Sequence, residues 1–293
     1  MRIIVLGAAA GGGLPQWNCG CRNCEGARAG RLPAMTQSSV AVSADGESWA
    51  ILNASPDIRV QLAATPALHP TGLRDMPLRS VLVTNGDIDH VAGLLTLRES
   101  QPFALFATPA IHEDLAGNPM LSALRDDLVA RRPAGLDEGV AIAPGLTATL
   151  FAVPGKVPLY REGAVVETGL VGENTVGVEL VANGRRALYI PGCADLPDWL
   201  RQRIAGADLL MFDGTLWEDD EMIRMGLGHK TGQRMGHMPA ARTIAALDGL
   251  PIGRRVFVHM NNSNPLVDPA SSETREAESR GWQVGRDGME ITL

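Results

Sequence analysis

The sequence predicts a single α/β (α+β) domain over residues 1–293, with hairpins and strand–helix units mixed along the chain. Three observations lead there. Asp45-Gly46 and Asn183-Gly184 each stand between strand-like runs, the strongest short-range hairpin signal a sequence offers. Ser80-Val-Leu-Val-Thr84 is an apolar run that stops at a polar loop, and helical spacing follows it. No linker and no fixed-period repeat divides the chain.

Taken in order, Met1–Leu6 reads as a first strand entering the Gly-rich turn Gly7–Gly13. Residues 37–44 and 48–53 are the arms of a hairpin around Asp45-Gly46. After the strand at Ser80–Thr84, Leu94, Leu95 and Arg98 give Val91–Glu99 helical spacing. Thr147–Val153 is a further strand. Val176–Leu180 and Arg186–Ile190 flank Asn183-Gly184, where a type I′ turn is expected. Leu209–Phe212 and Arg255–His259 read as buried strands, and Asp195–Ile204 and Pro239–Leu247 as helices.

Composition narrows the function classes. A net charge of −7 and the lack of any Lys/Arg block argue against nucleic acid, which needs a basic face. No stretch reaches the roughly 18 apolar residues of a membrane span, and the N-terminal apolar run is too short for a signal peptide. The chain is therefore expected in the cytoplasm, where thiols stay reduced and cysteines serve more often as metal ligands than in disulfides. Cys19, Cys21 and Cys24 form C-x-C-x-x-C, and three thiolates within six residues can converge on one tetrahedral zinc. Gly7–Gly13 tempts a dinucleotide reading, but Pro15 and the cysteines stand where a phosphate-binding helix would begin. A turn that lets the backbone pass close to a site fits better.

The loop after Thr84 carries Asp87, Asp89 and His90. The segment Thr84-Asn85-Gly86-Asp87-Ile88-Asp89-His90 resembles the Thr-His-x-His-x-Asp-His motif of the metallo-β-lactamase superfamily, with Asn85 and Asp87 in place of its first two histidines. Val256-Phe-Val-His259 lies where that superfamily has its last metal-ligand His. Tyr189-Ile-Pro-Gly-Cys193-Ala-Asp195 lies where it has a metal-bridging Asp, and Lys156 where it has a third-motif His. The cysteine cluster is similar to the structural zinc site of the phosphodiesterase branch. Closer still, the chain resembles the family of pyrroloquinoline quinone (PQQ) biosynthesis proteins B. The matching segments are Pro15–Cys24, Asp87–Glu99, Val153–Tyr160, Thr231–Met238 and His259–Pro265.

That resemblance implies a four-layer αββα sandwich with structural Zn2+ on Cys19, Cys21 and Cys24. The first metal position of a two-zinc hydrolase would lack its imidazoles. Asp89, His90 and His259 remain, a two-His-one-carboxylate set suited to Fe2+ but also able to hold zinc. The implied activity is an iron-dependent oxygenase hydroxylating the tyrosine ring of a Glu–Tyr-derived, small-molecule or peptide-derived PQQ precursor. Asp87 would be a further ligand or a proton acceptor. Asn261, Asn262 and Lys156 would bind ligands or substrate carboxylates, and His237 would stand near the reacting centre. His229, His237 and Asn262 all remain open as the fourth structural-zinc ligand. His69 and His112 read as solvated surface residues. The alternatives are a PQQ carrier assisting its transport and a zinc-dependent hydrolase. A homodimer is left open.

Overall fold

Apolar side chains run almost without a break along the central strands, and because successive side chains point to opposite faces, those strands must bury both. In the computed structural model, which describes residues 1–293, fourteen strands form. They are β1 (Arg2–Gly7), β2 (Ser39–Ser43), β3 (Trp49–Leu52), β4 (Leu78–Leu82), β5 (Phe103–Ala107), β6 (Val129–Pro133), β7 (Gly139–Ala143), β8 (Leu146–Ala152), β9 (Val176–Ala182), β10 (Arg185–Ile190), β11 (Leu209–Asp213), β12 (Arg254–Val258), β13 (Trp282–Val284) and β14 (Met289–Thr292). They make two seven-stranded sheets, ordered β14-β1-β2-β3-β4-β5-β6 and β13-β12-β11-β10-β9-β8-β7.

Three apolar clusters follow from the alternation. Ile3, Val40, Val42, Leu52 and Leu82 of one sheet meet Leu150, Val178, Tyr189, Met211 and Val256 of the other. The intervening residues Ile4, Ala41, Ile51 and Val81 turn outward and pack on Ile58, Leu94 and Ile111 of the helical segments beside that sheet. Leu188, Leu210, Phe212 and Phe257 do the same beneath Leu200 and Ile204 of the helix Asp198–Ile204 and Ala240 and Ile244 of the helix Ala240–Ala246. The layers are thus αββα, the sandwich the resemblance implied.

Parallel pairing decides where the loops go. β3, β4, β5 and β6 run parallel, as do β10, β11, β12 and β13, so their carboxyl ends open on one edge. β8 and β1 reach that edge too, each through two antiparallel pairings. Loops clustered at the carboxyl ends of parallel strands are the usual place for a site in such sheets.

Local details depart from expectation in several places. Asn183 (φ 54°) and Gly184 (φ 71°) make the expected turn, with both central residues left-handed. At Asp45-Gly46 the arms pair as expected, but the connection is longer. The Asp45 carboxylate accepts from Glu47 N and Ser48 N, which closes a side-chain-capped loop instead of a two-residue turn. The helix expected at Val91–Glu99 is a short α-turn, Ile88–Val91, followed by 3₁₀ turns over Ala92–Arg98. Gly93 explains the tight approach there, since a Cβ would lie 2.1 Å from Ser55 O. His112 is half-buried against the sheet, and not solvated as expected. No helix is long and apolar enough to cross a membrane.

Candidate metal centre

Ligand-type side chains gather in three groups at the open edge: the three cysteines, Asp89 with His90 and His259, and Asp213 with His237 and that same His259. In the first, Cys19, Cys21 and Cys24 bring their sulfurs within 4.8 Å of one another. Cys21 caps the helix Arg22–Arg28, and Cys24 lies one turn along it. With the thiols close together, burial and the neighbouring Cys21 push Cys24 up to about 11, whereas backbone N–H donors outweigh burial and lower Cys21. Three sulfurs so placed provide three corners of a tetrahedron about 2.3 Å from a zinc ion.

Asn262 faces the fourth corner. Its side-chain amide lies 3.2, 3.6 and 3.3 Å from the sulfurs of Cys19, Cys21 and Cys24. Of the two readings the sequence left for Asn262, a substrate or ligand contact beside Asn261 and the fourth position of the cysteine site, its side chain takes the second direction, into the cysteine cluster. His229 is exposed and His237 belongs to the third group, so neither approaches the thiols. Asn23, inside the cysteine motif, donates to the carbonyls of Asn262, Ser263 and Asn264. The cysteine helix thereby braces the loop that begins at His259.

The second cluster joins Asp89, His90 and His259, whose ligand atoms also lie within 4.8 Å of one another. Its hydrogen bonds fix which nitrogen of each ring is free. Asn85 donates its amide N–H to Asp87 Oδ2 at 3.0 Å and accepts from Asp87 N with its oxygen, which sets the amide orientation. That same oxygen is 2.7 Å from His90 Nδ1, so Nδ1 carries the proton. His90 Nε2 is then a bare lone pair, buried, without a hydrogen-bond partner, and 3.8 Å from Asp89 Oδ2. A buried unpartnered acceptor calls for an explanation, and a missing cation between it and a carboxylate supplies one.

His259 is prepared in the same way. Thr215 Oγ1 lies 2.7 Å from Asp213 Oδ1 and must donate to that carboxylate, which leaves it to accept from His259 Nδ1 at 2.8 Å. Nε2 of His259 consequently faces Asp89 Oδ2 at 3.1 Å. The residue has φ 60°, a left-handed conformation that costs roughly 1–3 kcal/mol for a side chain of this size. It is held there by Met260 N bonding to Ala8 O and by Ala10 N bonding to Met260 O, both from the Gly-rich turn after β1. Gly11 of that turn runs past the Asp89 carboxylate, where an added Cβ would sit 3.5 Å away. The turn is a close backbone approach to the site.

Charge follows this geometry. Burial opposes ionisation of Asp89, but His90 and His259 outweigh it and hold the carboxyl far below its ordinary value. Burial lowers His90 to about 4, so the ring is neutral at physiological pH. Burial also opposes the His259 charge, yet the hydrogen bond and charge of Asp89, with Asp213 and Asp87 behind, raise its pKa above the ordinary value. Asp87 is raised, first by burial and then by Asp89. It stands outside the ligand group, and its amide partner is Asn85.

His237 stacks on His259 at a centroid distance of 5.2 Å, and its Nδ1 is 2.7 Å from Asp213 Oδ2. Asp213 was not singled out in the sequence. Its carboxylate is saturated by Cys193 N, Thr215 N, Thr215 Oγ1 and His237, which makes it an orienting group for two imidazoles. Neither candidate for the bridging position behaves as a metal-bridging carboxylate. Asp195 is exposed and paired with Arg242, and the buried Cys193 thiol is driven up by burial and by Asp213. Asp87, Asp89, Lys156, His237, His259 and Asn261 all line one cavity of about 300 Å³.

Relatives agree with this architecture. The beta-lactamase superfamily domain matches residues 48–260. A coenzyme PQQ synthesis protein B from Ruegeria pomeroyi is 60% identical over 296 residues, covering all of both chains. The chain belongs to the coenzyme PQQ synthesis protein B family. Among solved structures of that family, the zinc-bound PqqB of Methylobacterium extorquens is 54% identical, covers all of both chains and superposes with a TM-score of 0.98. Further away, a diphosphatase of the PhnP family shares the fold, with a TM-score of 0.69 at 18% identity over all of this chain and 97% of its own. Against the superfamily motif, Asn85 orients His90, and Lys156 pairs with Glu162 at 3.0 Å. Both side chains are committed to protein partners at positions where a second catalytic metal would need imidazoles.

Proposed function

We propose that this protein acts in PQQ synthesis as an Fe2+-dependent oxygenase that hydroxylates the tyrosine-derived ring of a Glu–Tyr precursor. The observation that carries this reading is the paired orientation of the rings: His90 and His259 both turn Nε2 toward Asp89, while their Nδ1 protons are held by Asn85 and Thr215. Two imidazoles and one carboxylate on one side of a small cavity leave coordination positions open, the ligand set of non-haem Fe(II) oxygenases. Iron bound there would supply the redox chemistry with O2 that replaces a ring C–H by C–OH, with two electrons from an external donor and water as the second product.

The chain's own residues provide binding and proton handling. Asp87, raised by burial and by Asp89, is suited to take the phenol proton as the ring is activated. His237, held by Asp213, turns its other nitrogen to the cavity and can pass a proton between ring and solvent. Asn261 lines the same wall and offers an amide to polar groups of the substrate. Cys19, Cys21 and Cys24, with Asn262 at the fourth corner, would hold the structural zinc that steadies the His259 loop.

Zinc in the reactive centre is the second reading, favoured by the zinc-bound PqqB structure of Methylobacterium extorquens and by the higher affinity of such sites for zinc than for Fe2+. Anaerobic loading with Fe2+ or Zn2+, followed by O2, a reductant and a Glu–Tyr dipeptide, separates the two. Iron-dependent gain of one oxygen atom, lost in His90→Ala, supports the oxygenase. An unchanged substrate mass under every metal contradicts it.

A further inference from the structure

The cavity carries both signs of charge. Asp87 and Asp89 line it, and so do Lys156 and Lys230. Lys156 belongs to the 153–175 connection between β8 and β9, and Glu162 of the same connection turns back to it, with Nζ and Oε1 3.0 Å apart. Arg234 reaches the other oxygen of that carboxylate at 3.1 Å from the turn Gly232–Met235, just before His237. One carboxylate therefore bridges two cations from segments far apart in sequence. Its side chain is only 8% exposed and that of Lys156 13%, although both lie in the wall of an open cavity.

The two cations are built in place. Gly236, at φ 88°, packs against the Lys156 stem, and a Cβ there would meet Lys156 Cγ at 3.2 Å. Thr231 caps the turn that carries Arg234. The segment bearing Glu162 is anchored just upstream by Tyr160, whose hydroxyl donates to Gly86 O, whereas residues 163–165 beyond it are exposed. Lys156 is thus fixed on the cavity wall, Arg234 adjoins it through the shared carboxylate, and that carboxylate is borne at the start of an exposed stretch.

We propose that Lys156 and Arg234 form a subsite for a carboxylate of the substrate, and that Glu162 fills this subsite in the free protein as an internal stand-in that the substrate displaces. The proposal rests on the reading of this cavity as the place where a carboxylate-bearing PQQ precursor binds. A ligand with an aromatic end and a carboxylate end suits a cavity of both signs, its carboxylate paired with the cations. Arg234 presents the forked donor that suits a carboxylate, and Lys156 adds a point charge. Exchanging one carboxylate for another keeps both cations paired, so binding leaves no buried charge without a partner.

Equilibrium binding of PQQ, a tricarboxylate, and of its trimethyl ester to the protein with its native metal content tests this without turnover. The wild-type protein is expected to prefer PQQ by at least about tenfold, the order of one or two charge-assisted hydrogen bonds. Glu162→Gln, which removes the competing charge, is expected to tighten PQQ severalfold and leave the ester unchanged. Lys156→Met and Arg234→Met are expected to abolish the preference, and Lys156→Arg to keep it. Unchanged or weakened PQQ binding in Glu162→Gln would make Glu162 a structural clasp and overturn the proposal. Equal affinity for acid and ester in the wild type would overturn it as well. Failure to bind either compound would overturn the shared premise about the cavity, and a failed hydroxylation with intact selectivity would count against the oxygenase alone.

Discussion

The Thr215 hydroxyl donates to Asp213 and accepts from His259 Nδ1 at 2.8 Å, which turns His259 Nε2 to Asp89 at 3.1 Å as the nitrogen that gives up its proton to bind a metal. Orienting groups of this kind typically account for about 10–100-fold in metal affinity. Thr215→Val keeps the shape and removes the hydroxyl. It is expected to weaken Fe2+ or Zn2+ binding at this centre within that range while zinc on the cysteines stays. An anaerobic metal titration with wild-type affinity would contradict the tautomer argument.

Asn85 does the same for His90, and its substitutions should be graded. Asn85→Leu removes the acceptor on Nδ1 and is expected to lower metal affinity by roughly tenfold or more. Asn85→Asp retains that acceptor but places a second carboxylate beside Asp87, so its effect should be smaller on metal affinity and larger on the Asp87 pKa. Nitrogen-edge spectroscopy or NMR of the His90 ring reads the tautomer directly.

Metal uptake should depend on pH through His259 and not through His90. The His259 pKa is raised, so at mildly acidic pH the metal-free ring carries a proton that must leave before Nε2 can bind. His90, at about 4, is already neutral there. Below the His259 pKa, affinity is expected to rise about tenfold per pH unit, with one proton released per metal, and to level off above it. Calorimetry in buffers of different ionisation enthalpy counts that proton; no release at pH 6 would contradict the assignment.

Gly93 is placed against Ala54 and Ser55, with its amide bonded to Ala54 O and no room for a side chain. Gly93→Ala is expected to destabilise the fold by about 1–3 kcal/mol through overpacking, and to shift the turn that carries His90. Thermal unfolding should show a melting temperature lower by several degrees. An unchanged midpoint would mean that the backbone relaxes freely at this point.

Cys24→Ser should remove one zinc per chain and loosen the 259–264 loop, since the cysteine helix and Asn23 hold it. Metal analysis and proteolysis near Asn262 would show both effects. Retention of the zinc by Cys19 and Cys21 alone would contradict the three-thiol assignment.

Local signals made much of this legible. Hairpin turns, period-two strands, the cysteine spacing and the adjacent Asp89-His90 each announce themselves within a few residues. Asp213 does not, because nothing around Leu209–Asp213 sets its carboxylate apart from the end of an apolar strand. Parallel register brings it to the site by pairing Asp213 with Val258, next to His259. Asn262 carried two readings in the sequence, and the left-handed turn at His259 that sends it toward the cysteines is a backbone feature no composition reveals. β13 and β14 span three and four residues, too short for a period to show. The link between Glu162 and Arg234 crosses 72 residues and depends wholly on tertiary structure.

The source of the incorporated oxygen tests the central claim most directly. Iron-loaded protein, a Glu–Tyr substrate and a reductant would be mixed under ¹⁸O2 in ordinary water, and in parallel under ¹⁶O2 in H2¹⁸O. Label in the ring hydroxyl from the gas alone, absent in His259→Ala, is the result expected of an oxygenase at Asp89, His90 and His259. Label from water alone, or a hydroxylated product that forms without O2, would contradict oxygenase chemistry at this centre.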